Sequence, residues 1–467
     1  MEMKAIATMP RAAQIDALRA EFARAQVTKV KLGGFDIDGI LRGKYVALDK
    51  FWSVAEGAMG FCDVVFGWDS GDQLYDNAQV TGWHTGYPDT RATVDLGTFR
   101  LIPWEPGTAA FLLDFEAPGA TESQAPTPLA VSPRQLLKSI EAKAKALGFT
   151  VKASSEYEFF IFKETPESVR AKQYSDLTPL SPGMFGYSWL RASENAPLVH
   201  ALIDGMNAFD IDIEGFHTET GPGVYEAAIR YDSLLRAADK SALFKTAAKE
   251  ICARHGVMPC FMAKVNRNLP GCSGHLHQSL WSLDGEPAFY DARGPRGMSK
   301  TLQHYLAGQI ALMPAMTALI APTINSYKRM VRGAWSPTLA TWGYENRTTA
   351  LRVIGGSPSS TRVEFRLPAA DMNAYVSLAA SVGAGLYGIE HQLKLPAETS
   401  GNGYDAKAES LPNTLRAATD ALSKSQELRE ILGAGFVDHY VRTRDWECRQ
   451  FEAAVTKWEL DRYFEII

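Results

Sequence analysis

Three separated segments each place polar groups two residues apart, with apolar residues between them. Ser155-Glu156-Tyr157-Glu158-Phe159-Phe160 offers Glu156 and Glu158; Gly274-His275-Leu276-His277 offers two histidines; Arg362-Val363-Glu364-Phe365-Arg366 offers Arg, Glu, Arg. Side chains two apart on a strand share a face. A chain with three such strands must build a sheet with one apolar, packed face and one face gathering carboxylates, imidazoles and guanidinium groups. Any one of these pairs alone would read as a solvated strand face. Their mixture argues for a shared site, because carboxylates with histidine suit Mg²⁺ or Mn²⁺ and neighbouring arginines suit phosphate.

A fourth segment, Glu214-Gly215-Phe216-His217-Thr218-Glu219, runs through Gly221-Pro222-Gly223 to Val224-Tyr225-Glu226. The Gly-Pro-Gly breaks any helix, so Glu219 and Glu226 flank a turn between two strands. His217 and Tyr225 can be read simply as packing beside these strands. Asn325-Ser326-Tyr327-Lys328-Arg329 and Asn346-Arg347-Thr348-Thr349-Ala350-Leu351-Arg352 add cations, which would be costly to bury without anions. A nucleoside triphosphate and a carboxylate substrate would supply them. No GxGxxG opens a helix, no GxxxxGK[ST] occurs, and no GxSxG elbow is present. Gly355-Gly356-Ser357-Pro358 reads as an ordinary turn, and so does Gly401 to Asp405 around Tyr404.

The 467 residues suggest about three domains by length alone, but the patterning favours two. Residues 13–26 form a first helix. Lys29 to Val46 alternates about an Asp38-Gly39 turn, and Phe99 to Phe115 holds two strands about Glu105-Pro106-Gly107. Residues 1–117 thus form a small mixed domain, 118–133 a Pro/Ala/Ser-rich linker, and 134–467 one large domain. In the latter, strands are expected at 151–162, 211–217, 223–230, 258–265, 274–281, 350–354 and 361–367. Helices are expected at 196–208, 233–254, 299–320, 371–392, 411–424 and 448–465. The uncharged stretch Leu306 to Ile324 carries Gln309, Pro314 and Pro322 and reads as a buried helix rather than a membrane span. A net charge of -5 without a basic run excludes a nucleic-acid partner. Five scattered cysteines without CxxC, and a charged N-terminal segment in place of a signal peptide, fit a cytoplasmic protein.

Together these motifs resemble the glutamine synthetase family over nearly the whole chain. The resemblance runs from DIDGILRGK through YPDT (Tyr87–Thr90), IPWEPGTAAFLLDF, SSEYEFFIF, HTETGPGVYE, SGHLHQSL, PTINSYKRM, NRTTALR and RVEFRLPAADMN to the C-terminal LPNTL and WELDRYFE. It implies an α+β fold, with a small N-terminal β-grasp domain and a large catalytic domain of helices around a curved antiparallel sheet. It implies ATP as co-substrate, two or three Mg²⁺ or Mn²⁺ ions, and self-association into stacked rings, commonly dodecamers, with active sites between neighbouring subunits. Carried over by position, one metal falls on Glu158, Glu219 and Glu226, and a second on Glu156, His275 and Glu364. Glu214, His277, Ser279, Arg352 and Arg362 fall where the family contacts ATP. Gly271, Arg329, Arg347 and Arg366 fall where it holds glutamate and the developing acyl phosphate.

The chain departs from the family on the nucleophile side. Ordinary glutamine synthetases carry a glutamate six residues after the arginine of NSYKR; here that position is Trp335. The family's ammonium-binding aspartate has only a loose stand-in, Asp69, and the usual Gln of the GQxE turn is Val224. The resemblance therefore implies activation of glutamate but an organic amine, aromatic or small alkyl, as acceptor in place of ammonium. Three alternatives stand beside it: ordinary glutamine synthesis with a displaced base and Trp335 turned outward, an inactive structural or regulatory member, and a nonspecific metal hydrolase.

Overall fold

The computed structural model describes residues 9–117 and 127–467. The first sheet contains β1 (Lys29–Phe35), β2 (Leu41–Val46), β3 (Met59–Cys62), β4 (Asp89–Leu101) and β5 (Thr108–Phe115), in the order β2-β1-β5-β4-β3. β1 and β2 form an antiparallel hairpin, with Gly39 at φ 77° in the expected turn, while β1 lies parallel to β5. Helices Arg11–Arg24 and Leu48–Glu56 close the apolar side, where Phe22, Phe51 and Phe111 cluster. Leu129 and Val131, expected in the linker, pack into this same core; residues 118–126 lie outside those described.

The second sheet has nine strands. Its main path is β12 (Trp342–Tyr344), β13 (Leu351–Ile354), β14 (Arg362–Phe365), β11 (Gly274–Ser282), β6 (Phe149–Phe162), β8 (Val224–Ile229) and β7 (Ile213–Thr218). β9 (Asp232–Ser233) and β10 (Met258–Cys260) pair with β6 off this path. Every pairing is antiparallel except β12 with β13. One face is covered by helices Pro133–Ala146, Leu234–Arg254, Lys300–Ile320 and Ala374–Glu390, which bury Tyr157, Phe159, Leu276, Val363 and Phe365. These are the alternate apolar residues of the three opening segments, so the polar residues between them face away from this core.

Lys300–Ile320 is a helix with Pro314 inside it, and most of its apolar residues are buried. Among the described residues no helix is long and apolar enough to cross a membrane. Lys300–Ile320 crosses Ala374–Glu390 closely at Gly308 and Gly388. The expected helix 448–465 is instead two. Ala434–Ala453 starts earlier, and a capping box between Thr456 and Glu459 starts Lys457–Tyr463 afresh. The expected strand 258–265 shortens to Met258–Cys260. Arg134 joins the two sheets' supports: its guanidinium meets Asp239 at 2.8 Å, Asp114 at 2.7 Å and Asp95 at 2.8 Å. Tyr375 donates its hydroxyl to Asp239 at 2.7 Å.

Candidate active site

Strand register assembles the polar face. β6 and β11 set Glu156 opposite His275, β6 and β8 set Glu158 opposite Glu226, and β11 and β14 set His277 opposite Glu364. β13 then sets Arg352 opposite Glu364, and β7 sets His217 opposite Glu226. Residues more than 200 positions apart in sequence thus share one cavity of about 470 Å³, which also includes Gly271, Arg329, Arg347, Arg362, Arg366, Glu219 and Trp335.

Two sets of donor atoms each lie within 4.8 Å of one another: Glu156, His275 and Glu364; and Glu158, Glu226 and His275. His275 Nδ1 is 3.1 Å from Glu156 Oε2 and 3.7 Å from Glu364 Oε1, while His275 Nε2 is buried with no hydrogen-bond partner. An unpartnered buried imidazole nitrogen beside converging carboxylates fits a hard or borderline divalent cation. Glu219, expected beside Glu158 and Glu226, lines the same cavity outside the tight set, with one carboxylate oxygen accepting from the Thr220 N–H of its own turn.

Neighbouring charges shift the acidity of the groups on this face. Burial works against an ionised Glu156, yet His275 and His277 hold it well below its ordinary range. Glu364 is likewise buried, and His275, Arg366, His277 and Arg352 push it down to about 2. Arg352 Nη1 donates to Glu364 Oε2 at 2.9 Å, and Arg366 Nη1 donates to Oε1. Glu226 is shifted upward by burial, against its contact with His217 Nε2 at 3.0 Å.

Arg329 is 3% exposed and is fixed by two backbone carbonyls, donating to Leu367 O at 2.9 Å and Arg366 O at 3.1 Å. Gly271 packs so closely on the Arg329 side chain that a Cβ there would lie 2.7 Å from its Cγ. A second cavity, of about 330 Å³, adjoins through Glu156, His277 and Arg362 and includes Glu214 and Ser279. Lys152 lines it too, its Nζ 3.4 Å from the Trp281 ring centroid, as do Ser359 and Ser360 of the turn that begins at Gly355.

Asp69 is not brought to either cavity within the chain. Its Oδ1 accepts from the Gly71 and Gln73 N–H groups at 2.8 and 3.0 Å, and its Oδ2 accepts from Trp446 Nε1 at 2.9 Å. One tyrosine that the sequence left unassigned does reach the site. Tyr187, at φ 56°, lines the main cavity with its ring stacked on His217 at 4.3 Å. It comes from a loop whose spacing carries no periodic signal. Tyr404 sits on the short helical turn Gly403–Asp405, outside the lining of either cavity.

Residues 130–463 match the family model for the glutamine synthetase catalytic domain. The chain is 48% identical over 444 residues to type-1 glutamine synthetase 2 of Dictyostelium discoideum, covering 94% of this chain and 84% of that one. It is 37% identical over 459 residues to the glutamate–isopropylamine ligase of a Pseudomonas species, covering 97% and 98%. A solved structure of apo GmaS without ligand superposes with a TM-score of 0.82 at 26% identity, covering 95% and 98% of the two chains. Fold and site thus define a carbon–nitrogen ligase of the α+β class. The chain belongs to the glutamine synthetase family.

Proposed function

We propose that the enzyme joins the γ-carboxylate of glutamate to an organic amine, with ATP converted to ADP and phosphate through a γ-glutamyl phosphate. One observation carries the acceptor assignment. Trp335 lines the main cavity at the position where the family carries its glutamate base, six residues after Arg329. An aromatic wall made of Trp335 and Tyr187 suits an amine with an apolar body.

The nucleotide is assigned to the smaller cavity, against Glu214, His277, Ser279 and Arg362, with Arg352 beside the phosphates. Glutamate is assigned to Gly271, Arg329, Arg347 and Arg366. Two or three divalent ions would rest on Glu156, His275 and Glu364 and on Glu158, Glu219 and Glu226; such ions, when bound, neutralise charge on phosphate oxygens. The glutamate oxygen attacks the γ-phosphorus and ADP leaves; the neutral amine nitrogen then attacks the acyl carbon, and phosphate departs, taking up the proton the nitrogen releases. Arg347 and Arg366 neutralise the charge gathering on the transferring group. The absence of a carboxylate at Trp335 favours an arylamine that is neutral near pH 7, and the apolar face of Trp335 also suits the body of a small alkylamine. The isopropylamine ligase relative supports this reading.

Ammonium is the second reading, favoured by the 48% identity to a protein named a glutamine synthetase. Phosphate release measured with ATP, Mg²⁺, glutamate and a panel of amines separates the two. The amine assignment fails if ammonium gives the fastest turnover at the lowest concentration. Absence of metal-dependent ATP binding would instead favour an inactive member. Assembly into rings, with Asp69 offered to a neighbour's site, and a cytoplasmic setting for five unpaired cysteines belong to the same proposal; sedimentation tests the assembly.

A further inference from the structure

The loop that carries Trp335 is held at both ends and unpacked in the middle. Arg329 at its start is buried on two backbone carbonyls, and Ser336 and Pro337 at its end are buried. Between them Val331, Arg332 and Trp335 are exposed, and Gly333 takes φ 79° where a Cβ would meet nothing within 4 Å. Arg332 is the only charged side chain of residues 330–336, and its Nη2 donates to Asp405 Oδ1. Beside that pair, Tyr404 brings its phenol to the Trp335 backbone.

Asp405 sits on a turn that is itself well fixed. Asn402 Nδ2 donates to Asp405 Oδ2 at 2.8 Å, and Asn402 Oδ1 accepts from the Tyr404 N–H at 3.2 Å. Asn346 Nδ2 donates to Gly401 O at 2.9 Å, and the Gly403 N–H donates to Thr348 Oγ1 at 2.8 Å. Gly403 is buried so closely on Thr348 that a Cβ would lie 2.4 Å from its carbonyl oxygen. Asn346 and Thr348 flank Arg347, which lines the main cavity with Trp335. One turn therefore grips both the Trp335 loop and the segment carrying Arg347.

We propose that Asp405 is a positioning residue: through Arg332 it holds the Trp335 loop to this turn and so sets Trp335 relative to Arg347 across the cavity. The proposal rests on Trp335 belonging to the acceptor pocket. The Arg332 and Asp405 side chains are 68% and 58% exposed. A pair in water holds weakly, so its loss should loosen the loop without unfolding the chain.

The test uses the full-length protein with isopropylamine as acceptor. Trypsin must take the Arg332 side chain into its own pocket, so cleavage after Arg332, read by mass spectrometry, requires the pair to break. In Asp405→Asn that cleavage should be about two- to fivefold faster, with KM for isopropylamine raised by a similar factor and KM for ATP unchanged. Arg332→Glu and Asp405→Arg should each raise the amine KM. Combining them restores an ion pair of opposite sense and should bring KM back toward wild type, which a merely structural role would not do. Unchanged cleavage in Asp405→Asn overturns the proposal, as does a double variant no better than the worse single one. Faster cleavage with an unchanged amine KM overturns it when Trp335→Gly raises that KM. When Trp335→Gly also leaves the KM unchanged, the hold of Asp405 on the loop stands and the acceptor assignment of Trp335 fails. Should isopropylamine not be turned over, the cleavage comparison decides alone.

Discussion

Replacing Trp335 by glycine separates a role in acceptor recognition from a role in folding. Trp335 is 62% exposed and sits at φ 58°, a left-handed conformation that costs a side-chain-bearing residue about 1–2 kcal/mol. Glycine removes that cost. It also gives up the packing of the buried part of the ring, on the order of 1 kcal/mol when full burial of a large apolar side chain is worth about 1.5–3 kcal/mol. The two effects nearly cancel, so Trp335→Gly should unfold within about 4 °C of wild type. An aromatic face against an amine is worth about 0.5–2 kcal/mol, which corresponds to a roughly 2- to 30-fold loss in kcat/KM for an alkyl- or arylamine. Ammonium has no apolar body to lose, so its kcat/KM should hold or rise. The assay is phosphate release at saturating ATP and glutamate with each nucleophile varied, alongside a thermal melt. Equal losses for ammonium and amine, or a melt lowered well beyond that range, would refute the assignment of Trp335 to the acceptor pocket.

Chelation of divalent ions should lower the unfolding temperature. His275→Ala should weaken stabilisation by Mn²⁺ in a titration, because Glu156, His275 and Glu364 would have lost their central ligand; an unchanged Mn²⁺ response would count against that site. His439 is 2% exposed, and burial together with Arg444 and Arg442, opposed by the Phe66 backbone, lowers its pKa to about 4. A histidine depressed in the folded state costs stability as pH falls from its ordinary value near 6.5 toward 4, up to roughly 3 kcal/mol. Denaturant unfolding at pH 7 and pH 5 should therefore show a loss in wild type that His439→Leu largely removes; parallel losses would refute it. In Gly388→Ala the new Cβ would lie 2.7 Å from the Gly308 Cα and overlap the His304 carbonyl. The helix crossing must then open, at about 1–3 kcal/mol; an unchanged denaturation midpoint would refute that.

Much of this architecture was readable because it rests on short-range periodicity. The alternation in β6, β11 and β14 shows which residues share a face, and helices such as Leu234–Arg254 announce themselves by length and apolar pattern. Boundaries were weaker where local capping decides, as at Thr456, which splits one expected helix in two. Tyr187 was missed for another reason. It is carried by a loop, and its place at the cavity depends on where distant strands hold that loop. Glu219 lines the same cavity as Glu158 and Glu226, and one of its carboxylate oxygens accepts from the Thr220 N–H of its own turn.

The sequence alone determined the kinds of group on each strand face, since a two-residue repeat leaves no freedom about which side chains point together. It also determined that Trp335, and no carboxylate, stands six residues after Arg329. Only the tertiary structure decided which faces meet. Cross-strand register, set by the packing of the reverse faces under four helices, puts Glu158 opposite Glu226 and Glu156 opposite His275. Only it showed that Asp69 is held by Trp446 and that Tyr187 stacks on His217 at the cavity. Those facts arise where residues tens to hundreds of positions apart meet in space, which local spacing does not encode.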